Sequence, residues 1–171
     1  ETYNVIKSDL SEDFCQIEVK GIKSSSLAYF VSCLSQDFVN ESFLIVTQSD
    51  EEIENLAHDI STFLGDDLVL LFPPWQTFLH EGASTAKEIL ADRMLCLERL
   101  IHGQRNIVVT SIRSLVHKII PRNVFFESTL QFAIGKEIDL SEISEKLTHS
   151  GYQRVDIVEM KGDFAIRGGI I

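Results

Sequence analysis

Three short stretches of the chain carry side chains whose type and spacing can be tested against known chemistry. The first is Gly21 to Ala28, GIKSSSLA, a small-residue turn ahead of an apolar run. A working phosphate-binding loop has the form GxxxxGK[ST]. Its second glycine lets the backbone approach the phosphates, its lysine reaches the β and γ oxygens, and its hydroxyl holds magnesium. Counted from Gly21, the second glycine falls on Ser26, the lysine on Leu27 and the hydroxyl on Ala28, so all three functional residues are replaced. Lys23 sits inside the loop and does not substitute for the lost lysine. On residues alone the stretch is a serine-rich helix start with Ser24 as its N-cap. The second stretch, His80-Glu81, sets an imidazole beside a carboxylate, the pairing that acid–base catalysis uses. A loop histidine with a charged neighbour is far more often only that. The third holds Arg154 and Arg167, two rigid five-donor forks suited to a partner's carboxylates. Spacing alone favours two solvated charges on a hairpin.

The totals narrow the classes. At 171 residues, 44% hydrophobic and 24% charged, the chain is long enough for one good core, or one and part of another. No apolar run approaches the ~20 residues of a membrane span, and no secretory pattern opens the chain. Cys15, Cys33 and Cys96 are odd in number and far apart, which argues for a reducing, cytoplasmic setting and against disulfides or a zinc site. Each reads as a small core residue. The net charge of −11, with no cluster of Lys and Arg, argues against tight duplex binding and favours protein partners. No metal site and no catalytic constellation of motif spacing stands out.

The elements that must position these residues follow from periodicity. Phe14–Val19 reads as a first strand and Leu27–Leu34 as a buried helix. Ser42–Thr47 is an apolar run expected to be buried on both faces, so Leu44→Asp is expected to prevent folding. Ser49 or Asp50 caps a helix with Ile53, Leu56, Ala57, Ile60 and Leu64 on its apolar face, ended by Gly65. Leu68–Phe72 is a third buried strand, stopped by Pro73-Pro74. Ser84 or Thr85 caps a long helix through Ile101 with Ile89, Leu90, Met94, Leu97, Leu100 and Ile101 facing inward, and Arg93 and Arg99 in ordinary surface pairs. Asn106–Thr110 is a fourth strand, and Ser111 caps a short helix through Lys118, closed by Pro121.

Apolar strands alternating with helices predict an α/β fold, a RecA/P-loop-like three-layer parallel sheet. After about residue 122 the texture changes. Leu130–Ile134 reads as a strand and Leu140–Leu147 as a helix capped by Asp139 or Ser141. Two strands around a Lys161-Gly162-Asp163 turn then complete a smaller α+β domain at the C-terminal end. The division is 1–122 and 123–171, with the boundary near 120–128.

The last twenty-one residues, GYQRVDIVEMKGDFAIRGGII, fit the pattern GYxRVDxVxxxGxFAxRGGI. That pattern resembles the amino-terminal, UvrB-like module of bacterial transcription-repair coupling factors. In that family it continues into Asp-Ile-Phe-Pro, so the chain looks like part of a longer protein with an incomplete second domain. The resemblance implies a degenerate nucleotide loop, matching Gly21, Ser26, Leu27 and Ala28. It implies recruitment of UvrA by strand arginines. The UvrB pattern of Tyr-x-Arg and Arg-Gly matches Tyr152, Arg154 and Arg167-Gly168, with Phe164 as apolar surround, while a further UvrB arginine is Ala165 here. It implies no aromatic DNA clamp after Pro74, with Trp75 packing over the sheet edge. No ATP, magnesium or catalysis is expected in this stretch. ATP-dependent translocation and RNA polymerase contact are expected of other regions of the parent. Two rivals are a true UvrB-type helicase subunit, which the lost lysine at Leu27 opposes, and an unrelated P-loop relative with an acidic protein-binding surface.

Overall fold

The computed structural model describes residues 2–11, 15–75 and 83–171, with side chains given throughout these except at 83–85. Phe14, Phe78, Leu79 and the His80-Glu81 pair therefore lie outside the described residues. The helix expected to be capped by Ser84 or Thr85 already includes Ala83, so both residues lie within it and neither is its cap.

The fold is mixed α/β. Its centre is a parallel sheet of β1 (Phe43–Thr47), β2 (Val69–Phe72) and β3 (Ile107–Ser111) in the order β1-β3-β2. Phe43 and Val69 both register with Ile107, so the last strand in sequence lies between the first two. Strand β3 is buried at every position, as its unbroken apolar run demands. Helices α2 (Ser25–Asp37) and α3 (Glu51–Leu64) cover one face, where Ala28, Val31, Ile53, Leu56, Ala57 and Ile60 close over Ile107 and Val109. Helix α4 (Ala83–Ile101) and the short α6 (Arg122–Ser128) cover the other, where Cys96, Leu97 and Phe125 meet Leu70, Phe72 and Val108. Each such buried aliphatic or aromatic side chain contributes ~1.5–3 kcal/mol of transfer free energy. Burial pushes the Cys96 thiol up to about 11. Helix α1 (Thr2–Leu10) is tied to the end of α2. Tyr3 Oη donates to Asp37 Oδ2 at 2.6 Å, and Lys7 Nζ lies 2.7 Å from Asp37 Oδ1.

Several expectations are overturned. Residues 15–20 form no strand. Glu18, Val19 and Lys20 are exposed, and no strand among the described residues pairs with Ile17 and Val19. Strand β1 is not buried on both faces. It is an edge strand whose Phe43 and Ile45 pack inward while Leu44 and Val46 are 60% and 42% exposed, because α4 covers β2 and β3 and stops short of β1. Strand β2 is likewise an edge strand with alternating burial. On α4, Leu90 and Leu100 face solvent, and the buried face includes Arg93. Arg93 is not a surface charge. It is 2% exposed, its guanidinium sits 3.9 Å over the Phe72 ring and 4.8 Å from that of Trp75, and its Nη1 donates to the Pro73 carbonyl at 2.6 Å. Arg99 turns to the Asp67 backbone carbonyl instead of a carboxylate.

Helix α5 is only Ile112–Leu115, capped as expected by Ser111, whose hydroxyl accepts from the Ser114 amide. A further turn would bury nothing, since Val116 is 73% exposed. Pro121 holds the N-cap position of α6, a helix the sequence reading missed, in an extended conformation that its fixed φ allows. Cys15 is exposed and so is no core residue. Residues 130–134 form no strand, and Ile134 lies wholly in solvent.

Candidate functional site

The C-terminal segment is built from α7 (Leu140–His149) onward. Of its two candidate caps the structure uses Asp139, whose Oδ1 accepts from the Ser141 amide at 2.7 Å. Ile143 anchors the helix by burial. Gly151, at φ 90°, turns the chain out of the helix into β4 (Gln153–Arg154). Gly162, at φ 87°, makes the second turn, into β5 (Asp163–Phe164). The expected antiparallel hairpin is not formed. β4 and β5 are two residues each and pair in parallel, with the Gln153 amide on the Gly162 carbonyl and the Val155 amide on that of Phe164. The intervening chain loops back to enter β5 in the same direction as β4. A sequence of strand formers around a glycine turn cannot distinguish the two pairings.

This arrangement brings Arg154 and Arg167 together. Both line one surface cleft of about 390 Å³, whose walls include Val155, Asp156 and Ile166. Arg167 sits at the head of a tight turn through Gly168, φ 60°, closed by hydrogen bonds between Arg167 and Ile170 at 3.0 and 3.2 Å. Its Nη2 donates to the Asp156 carbonyl at 2.7 Å, which fixes the guanidinium at the rim. Arg154 is exposed, and its side chain has no hydrogen-bond partner among the described residues. Tyr152 is exposed beside it, whereas Phe164 is buried. The cleft thus presents two guanidinium groups, one oriented and one unengaged, over a partly apolar wall. Such a surface suits carboxylates with an apolar flank. Sequence reasoning missed Asp156 and Ile166 as cleft residues, since only the parallel pairing brings them alongside.

The Gly21–Ala28 stretch lies at the start of α2. The amides of Ser26, Leu27 and Ala28 are engaged by the carbonyls of Lys23 and Ser24. Ser24 holds the N-cap position at φ 48°, but its side chain caps nothing. Ser26 folds back instead, its Oγ donating to the Lys23 carbonyl at 2.6 Å and accepting from the Lys23 amide at 3.0 Å. Ser25 Oγ donates to Asp59 Oδ2 at 2.8 Å, so a carboxylate of the chain itself stands at this helix start. Leu27 packs against the core beneath α2 and Ala28 is fully buried. The second helix start, at α3, follows the same habit. Asp50 holds the cap position, but its carboxylate accepts from Ser111 Oγ at 2.5 Å and pairs with Arg113 at 3.2 Å.

Residues 130–171, the segment that carries the cleft, match a protein family described as the UvrB interaction domain. The cleft therefore lies in a segment of that domain class. Over its full length it is 28% identical to a transcription-repair-coupling factor of Bacillus subtilis, covering 14% of that protein. Over 135 residues, 75% of the chain, it is 34% identical to the Mycobacterium bovis protein of the same name, covering 11% of it. Over 95% of the chain it is 23% identical to one of Staphylococcus aureus, again covering 14% of the relative. The chain belongs to the transcription-repair-coupling factor family and spans about one seventh or less of the length of these curated relatives.

Proposed function

We propose that this chain is the UvrA-recruiting, UvrB-like module of a transcription-repair coupling factor, linking stalled RNA polymerase to nucleotide excision repair. The observation that carries the reading is the convergence of Arg154 and Arg167 on one cleft within the segment that matches the UvrB interaction domain. Arg154 and Arg167 are the anchors, Tyr152 the apolar rim, and Phe164 a buried support beneath the strand pair. The two-part division at 1–122 and 123–171 and a RecA/P-loop-like origin of the body belong to the same reading. So does the absence of nucleotide chemistry here. Of the positions matched to a phosphate loop, Gly21, Ser26, Leu27 and Ala28, the last three have their amides engaged internally, and Ser26 Oγ is engaged as well. Contact with RNA polymerase and ATP-driven translocation belong to other regions of the parent protein, which acts in the cytoplasm. The net charge of −11 supports a protein partner over duplex DNA. No helix among the described residues is long and apolar enough to cross a membrane.

The test is capture of UvrA by the wild-type chain and by Arg154→Ala, Arg167→Ala and the double variant, with circular dichroism as the folding control. Truncating either arginine leaves a partner carboxylate desolvated and unpaired, so each change costs about 2–5 kcal/mol of binding. Lysine restores the charge without the planar fork and rescues only partly. Undiminished capture by the folded double variant moves the site elsewhere.

A further inference from the structure

In the C-terminal unit from α7 onward, the buried side chains Ile143 and Phe164 belong to neither of the two apolar clusters that flank the central sheet. Two ion pairs join this unit to the body. Lys87 Nζ of α4 lies 3.0 Å from Asp163 Oδ1, and Lys161 Nζ lies 3.4 Å from Asp92 Oδ1 of the same helix. The two pairs are charge-swapped, with α4 giving one cation and one anion and the β4–β5 turn giving the opposite of each. The register is therefore specific, because exchanging partners would set Lys87 against Lys161 and Asp92 against Asp163.

The inner pair is the better sheltered. The Asp163 side chain is 6% exposed and that of Lys87 22%, and Gln153 Oε1 lies 3.4 Å from the same ammonium group. The Lys87 stem runs over Gly162, where a β-carbon would stand 3.4 Å from Lys87 Cδ. Gly162 thus serves the turn through its φ and the joint through its missing side chain. The outer pair is more open and contributes less.

We infer that these two crossed ion pairs form a breakable joint that fixes the orientation of the arginine-bearing unit on α4. Gln153 and Asp163 belong to the strand pair that carries Arg154, so the joint sets the direction in which the cleft faces. Ion pairs of this kind open by exchanging partners for water. This inference concerns the joint alone and stands whatever the cleft binds.

Residual dipolar couplings on the isotope-labelled 171-residue chain test it. In the wild type, amides of β1–β3 and α2–α4 and those of α7, β4 and β5 share one alignment tensor. Lys87→Glu sets a carboxylate against Asp163, and the shared tensor is lost: the C-terminal unit needs a second tensor of smaller magnitude while the sheet's chemical shifts hold. Lys87→Glu with Asp163→Lys restores the pair in reverse and returns the single tensor. A single tensor retained by folded Lys87→Glu, or a double swap that fails to restore it, overturns the joint. If Lys87→Glu unfolds the C-terminal unit, Lys161→Glu on the open pair decides. Reduced alignment of that unit supports the joint, and unchanged alignment overturns it.

Discussion

Arg93 offers the sharpest check on the packing. Its guanidinium is buried between the rings of Phe72 and Trp75 and donates to the Pro73 carbonyl. Burial lowers its pKa, yet an arginine starts so high that it stays charged. Arg93→Ala removes a hydrogen bond from a charged donor, which contributes about 1.5–3 kcal/mol. It also removes two cation–π contacts of about 0.5–2 kcal/mol each and leaves a cavity. Against this, the desolvation of a buried cation is relieved. The balance is a loss of about 3 kcal/mol, or about 6–12 °C in melting temperature for a chain of this size. The order of the conservative variants is more telling than the size. Methionine keeps a slender polarizable stem against both rings and carries no charge to desolvate, so Arg93→Met costs about 1 kcal/mol. Lysine keeps the charge but is more strongly hydrated and lacks the flat face, so Arg93→Lys costs more than Arg93→Met. Urea denaturation of the three variants measures this. Arg93→Ala within about 0.5 kcal/mol of wild type, or Arg93→Lys more stable than Arg93→Met, refutes the reasoning.

Three further outcomes are expected. Leu44→Asp, on the exposed face of an edge strand, leaves the melting curve within a few degrees of wild type, whereas Val109→Asp, fully buried on β3, abolishes folding; equal effects in a thermal melt would contradict the strand order. Lys7, and then Tyr3, hold the Asp37 carboxyl below its ordinary value, so its contribution to docking α1 is fully present above about pH 4 and lost as pH falls through the lowered value; amide exchange over residues 2–10 should accelerate in acid, and Asp37→Asn should remove that dependence. Calorimetry with magnesium and ATP should give no binding heat, and micromolar affinity would show that the internal bonds of Ser25 and Ser26 can be displaced.

The parts of the fold that were legible are those governed by local rules. The period of Ile53, Leu56, Ala57 and Ile60 placed the inward face of α3, and Gly65, at φ 85°, ends that helix. Ser111 and Asp139 cap their helices because an extended residue with a short acceptor can reach the first-turn amides. What the sequence does not encode locally is which neighbour a surface receives. The run around Leu44 is as apolar as that around Val108, and only the reach of α4 separates the exposed strand from the buried one. Arg93 sits among acidic neighbours on a helix and reads as solvated; the rings that hold it come from the end of the preceding strand and just beyond it. At the candidate site, Arg154 and Arg167 were picked from their chemistry, but the cleft between them depends on parallel pairing of two-residue strands, and their alternation fits a hairpin equally well.

The strand order has a consequence for how such a chain is made. β1 and β2 never touch each other; each pairs only with β3, the last of the three to be synthesised. A nascent chain that has emerged as far as Phe72 holds helices α1, α2 and α3 and two strands with no ladder to join. It waits on the order of a few seconds, at ~5–20 residues per second, for Ile107–Ser111 to arrive. During that interval its apolar strands are unpaired, and the contacts that rescue them are all long-range, the slow kind to form. The acidity of the chain then protects at a stage before any partner is met: like charges on successive nascent chains keep their open strands apart until the central strand closes the sheet.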